Sequence, residues 1–173
     1  MSTEAPTAII EPTVQPETLT KEQQALKLTK RYSLWSAGGG LIPIIGLDIV
    51  AIIAAQVKMI NEISKVYGVE FKEQRAKSLV SSLIAGLGIV PLGTGVLFSA
   101  MKILPLVGPL AATVALPTAA GAVTYATGKV FIMHFESGGT LLDFKPEKMK
   151  AAYKKFFEEG KDKVATATQE AAN

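Results

Sequence analysis

A chain of 173 residues is long enough for one domain with a sizeable core. With 49% apolar residues, 19% charged residues and a mean hydropathy of +0.31, it carries little charge for a soluble domain. A net charge of +3 is too small to imply nucleic acid, and without cysteine there is neither a disulfide framework nor a thiolate metal site.

The charges are badly mixed. From Ser78 to Gly128 the only charged residue is Lys102, whereas Lys and Arg collect near 21–31, 58–77 and 145–163. Lipid contact explains this segregation better than a globular surface does, and basic flanks beside apolar segments suit anionic headgroups.

Residues 1–17 are dominated by Pro, Thr and Glu, with no periodicity and no apolar h-region. They read as a disordered leader rather than a signal peptide. Thr20 then opens a helix, and Gln23 completes a capping box in which the two side chains satisfy free amides. Lys27, Lys30, Arg31, Tyr32 and Trp35 follow just before an apolar run. They fit either an interfacial anchor or the solvated side of a helix packed on a core.

The glycine triplet Gly38–Gly40 breaks that helix, and GLIPIIGLDIVAI follows with Asp48 inside it. A carboxylate at mid-span costs about 2.5–3.5 kcal/mol. Pro43 and Gly46 disfavour continuous helix, so a start near Leu47 puts Asp48 in the first turn. There it meets free backbone amides and the positive end of the helix dipole. Pro43, Gly46 and Asp48 are therefore read as helix-start devices. The helix is expected to reach Tyr67, with Gly68 as its C-terminal cap.

Ser78–Met101 and Ile103–Gly128 each exceed the ~20 residues that cross a bilayer. Gly86, Gly88, Pro91, Gly93 and Gly95 interrupt the first, and Pro105, Gly108, Pro109 and Pro117 the second. Broken helices at membrane depth need protein or water around the freed backbone groups, which favours a hairpin or re-entrant bundle over isolated spans. A re-entrant hairpin is expected for 38–57, and true spanning is allowed for 78–128. Ala111, Ala115 and Ala119, four residues apart, permit close helix packing.

Gly138 and Gly139 mark a turn, and Pro146 suits the start of a last helix. Met149, Tyr153, Phe156 and Val164 share one face of it, with Lys148, Lys154 and Lys155 elsewhere. Such a helix lies on a membrane surface or closes a bundle as an amphipathic lid. The expected organisation is a leader (1–17), an apolar helical membrane domain (18–139), a basic amphipathic helix (140–165) and a frayed tail (166–173).

Ordinary catalysis finds no constellation. His134 stands alone among large apolar residues and reads as structural, and no metal-ligand spacing occurs. GAVTYATGKV, Gly121 to Val130, has six residues between its glycines and Val after the lysine, so it lacks phosphate-loop spacing. Neither a cofactor nor an enzymatic activity is expected.

The elements GLIPIIGLDIVAI (Gly40–Ile52) and VYGVEF (Val66–Phe71), within the stretch Gly40–Gly88, resemble a bacterial domain of unknown function. That family occurs as small stand-alone proteins or attached to GTPase domains, and is described as membrane-associated. It usually has proline where Ile45 stands. The resemblance implies a membrane location and a GTPase partner in trans. Together with the residue patterns it leads to one expectation: an all-α, membrane-associated helical bundle or hairpin with Gly/Pro-broken apolar helices. Lys27, Lys30, Arg31, Trp35, Lys148, Lys154 and Lys155 would face the lipid surface. The protein would form a homo-oligomer at the bacterial inner membrane, with cytoplasmic termini, as an anchor or accessory. A pore with Lys102 or Asp48 facing the path, and a soluble bundle that binds a lipid or an apolar peptide, are the alternatives.

Overall fold

Local signals place most helix ends in the computed structural model, which describes residues 19–39, 48–86 and 109–172. Five helices and no strand occur among the described residues: α1 (Lys21–Gly39), α2 (Asp48–Tyr67), α3 (Glu73–Gly86), α4 (Pro109–Glu136) and α5 (Pro146–Ala172). The all-helical expectation holds there. Among the described residues, no helix is long and apolar enough to cross a membrane. The leader, Pro43, Gly46 and most of the broken run, Lys102 included, lie outside the described residues.

The capping box forms as expected. The Thr20 amide donates to Gln23 Oε1 at 2.8 Å, and the Gln23 amide donates to Thr20 Oγ1 at 3.2 Å. Helix α2 starts at Asp48, whose side chain lies outside the described ones. At its far end Gly68 takes φ 73°, and the Val69 amide reaches back to the Ser64 carbonyl at 2.9 Å. This six-to-one closure satisfies a carbonyl that would otherwise end unpaired.

Helix α4 departs from expectation. Pro117 was read as a break, yet α4 runs unbroken for 28 residues, about 42 Å. Pro109 sits at its first position, where the missing N–H costs nothing. Pro117 removes one internal hydrogen bond, a cost of about 3 kcal/mol in isolation. Packing compensates: α4 is the axis of the bundle, with α1 and α5 along it and α2 beside them.

Side-chain bonds give the directions. Thr124 Oγ1 donates to Ser36 Oγ at 3.0 Å and Thr29 packs on Gly128, so α1 runs antiparallel to α4. Tyr125 donates to Glu159 at 2.7 Å while Thr127 lies 3.3 Å from the Tyr153 hydroxyl, so α5 is antiparallel too. Gln56 meets Thr127 at 2.7 Å and Tyr67 meets Glu136 at 2.5 Å, making α2 parallel to α4. Helix α3 closes the end opposite Gly39. There Arg75 donates to the carbonyls of Leu141 and Leu142 at 3.2 and 3.3 Å.

One continuous core joins all five helices. It contains Tyr32, Met59, Ile60, Ile63, Leu79, Val80, Leu83, Phe131 and Tyr153, with Phe131 stacked on Phe144 at 4.5 Å. The apolar face of α5 is committed to this core: Tyr153 and Val164 are buried, while Met149 and Phe156 are partly so. Helix α5 is thus the lid of the bundle. It also continues to Ala172, past the point where a frayed tail was expected.

Candidate membrane-facing site

Helix α1 turns Ala25, Thr29, Tyr32, Ser33 and Ser36 inward, all buried. Helical spacing then forces Lys27, Lys30, Arg31, Leu34 and Trp35 outward. Trp35 is 66% exposed and Leu34 47%, the two largest apolar groups that this helix leaves to its surroundings. A Trp this open in a folded body is uncommon, and beside lysines it has the make-up of an interfacial anchor. Lys27 and Lys30 are exposed and form no ion pair among the described residues.

Arg31 is different. Its guanidinium holds Glu62 at 2.7 Å, and Tyr32 donates to the other oxygen of the same carboxylate at 2.7 Å. It also sits 5.3 Å from the Tyr32 ring centroid. Arg31 therefore ties α1 to α2, although it remains open to water. Burial, then the Glu62 carboxylate, pushes the Tyr32 hydroxyl up to about 12.

On α5 the lysines divide into two sets. Lys161 is paired with Glu158 at 2.5 Å and Lys163 with Glu159 at 3.7 Å. Lys148, Lys150, Lys154 and Lys155 are exposed and without an ion pair among the described residues, as is Lys145 just before the helix. Because Met149, Tyr153 and Phe156 fix the opposite side of the helix, this basic surface stays turned to the outside. The α1 and α5 residues that the sequence singled out are therefore accessible, but they sit on two different helices of one body.

A family model described as "Domain of unknown function (DUF697)" matches residues 13–162. The chain belongs to this family. Magnetosome membrane protein 22 of Magnetospirillum gryphiswaldense is 36% identical over 159 residues, which cover 91% of this chain and 82% of that protein. No solved structure matches the chain.

In this family member, the groups around His134 brace the turn that follows α4. His134 Nε2 lies 2.9 Å from the Thr140 carbonyl and 3.5 Å from Asp143, with its ring edge-on to Phe144. The Thr140 hydroxyl and amide both donate to Asp143 at 2.6 Å and hold its carboxyl down near 2. No cluster of three His, Asp or Glu able to hold a metal occurs among the described residues.

Of the alanines read as packing residues, two lie outside the described side chains. Ala111 and Ala115 fall in α4, whose described side chains begin at Thr118, and Ala119 is half-buried. Among the described residues, glycines make close contacts. A methyl on Gly128 would overlap the Thr29 hydroxyl and come within 2.9 Å of its Cβ. One on Gly160 would come within 3.0 Å of the Ala122 backbone. Gly121 and Gly128, seven residues apart and so on one helix face, were the available signal.

Proposed function

We propose that this chain is a non-enzymatic, membrane-associated helical protein that anchors or serves a partner at a bacterial inner membrane. The observation that carries this reading is the outward face of α1. Two unpaired lysines, Leu34 and a two-thirds exposed Trp35 lead directly into the uncharged segment GLIPIIGL at 40–47. The 22 residues of 87–108, with Lys102 as their single charge, supply a second apolar segment of the same character. In this reading the described bundle is the water-facing body, and the two apolar segments supply the contact with lipid. The name of the magnetosome relative, a membrane protein, supports the location. Self-association, from the small-residue helix contacts read in the sequence, and a GTPase acting in trans, from the family resemblance, complete the proposal.

Trp35 is the only tryptophan, so its emission reports directly on this surface. The expected outcome is a blue shift when vesicles are added, together with retention in the pellet after carbonate extraction of expressed protein. Emission that ignores vesicles, with release into the supernatant, overturns the reading.

A further inference from the structure

Helices α1 and α5 both lie along α4 yet scarcely touch one another. The gap between them is a groove of about 390 Å³, within the range of sites that hold small molecules. Its floor and one edge are apolar, made by the Tyr125 ring, Val164 and Leu34. Its two walls differ in net charge. On α1 stands Lys30; on α5 stand Asp162 and Glu170, about two turns apart. All three are exposed and form no ion pair among the described residues. Lys163 also lines the groove, with Glu159 at 3.7 Å as its partner.

We propose that this groove holds the headgroup of a zwitterionic amine phospholipid, of the phosphoethanolamine type. The proposal rests on the membrane-associated reading above. The phosphate faces Lys30, the ammonium lies against Asp162 with Glu170 two turns further along the same wall, and the glycerol and first methylenes cover Leu34 and Val164. Charge complementarity selects this occupant. A purely anionic headgroup would be repelled by two carboxylates, and a simple cation by Lys30 and Lys163; a zwitterion meets both walls. The carboxylates favour a primary ammonium over a choline group, because only the former donates charge-assisted hydrogen bonds. Exposed Leu34 and Trp35 give a lipid an apolar way in that a free metabolite would not need.

The test uses the full chain with phosphatidylcholine vesicles doped with either phosphatidylethanolamine or phosphatidylglycerol, read by co-sedimentation and Trp35 emission. Binding about tenfold tighter to the ethanolamine vesicles than to pure phosphatidylcholine is expected, from the charge-assisted hydrogen bonds that a choline group cannot donate. Asp162→Asn with Glu170→Gln removes that preference, leaves the circular dichroism unchanged and strengthens binding to phosphatidylglycerol vesicles, because two like charges are gone. Equal affinity for ethanolamine and choline vesicles, or a preference that survives the double substitution, overturns the proposal while the membrane reading stands. If no vesicle is bound, the membrane reading fails and so does a lipid ligand. In that case glycerophosphoethanolamine binding that the double substitution abolishes supports headgroup recognition by the groove, and no such binding overturns it.

Discussion

At Gly128 a single missing side chain decides how closely two helices meet. Gly128→Ala forces α1 away from α4, because the new methyl would strike Thr29, itself buried and bonded to the Ala25 carbonyl. Overpacking of this kind costs about 1–3 kcal/mol, to be read as a lower melting temperature. Thr29→Ala in the same chain recovers part of the loss, and additive effects would show that the contact is not shared. Titratable residues give a second prediction. Neutral Tyr32 is favoured in the fold, so its contribution is complete below the ordinary value of 10 and is lost as pH rises toward 12. The hydroxyls of Tyr67 and Tyr153 are pushed up as well, chiefly by burial. Asp143 works in the opposite sense: its contribution is present above 3.8 and is lost as pH falls toward 2. Melting temperature measured against pH should therefore fall at both extremes. Tyr32→Phe flattens the alkaline limb, and a limb of unchanged steepness would remove Tyr32 from the account.

Helices α1 and α5 carry the predictions that concern lipid. Trp35 is two-thirds exposed, so Trp35→Ser leaves melting unchanged and weakens sedimentation with vesicles. The unpaired lysines of α5 act only through charge. Lys148, Lys154 and Lys155 replaced together by Gln lose about 1 kcal/mol of attraction per lysine on anionic vesicles at low salt, and little at high salt. Binding that ignores this triple change takes α5 out of the lipid contact. The element hardest to read was α4. Its prolines and glycines signal interruption when taken locally, since Pro117 lacks a donor and glycine weakens a helix. Flanking helices reverse that meaning: Gly128 becomes a contact point for α1, Ala122 one for Gly160 of α5, and the helix persists through Pro117.

For the molecule as a whole, the core joins residues of all five helices, with Tyr153 of α5 among the most buried. Unfolding is expected as one cooperative transition, with far-ultraviolet circular dichroism and tyrosine absorbance superimposed. Separate melting of α5 would show that the lid is an independent unit. Helix ends were legible in the residues alone: Thr20 with Gln23, Gly68 and Pro146 each satisfy or spare backbone groups within a few positions of themselves, and such bonds need no distant partner. The all-helical class was legible for the same reason. Only the tertiary structure decided that α4 is continuous, that α5 is a lid, that Arg31 is engaged with Glu62, and that Lys30 faces Asp162 and Glu170 across a groove. An apolar or basic surface has the same composition whether a neighbouring helix or a bilayer covers it, and only the arrangement of the chain in space tells the two apart.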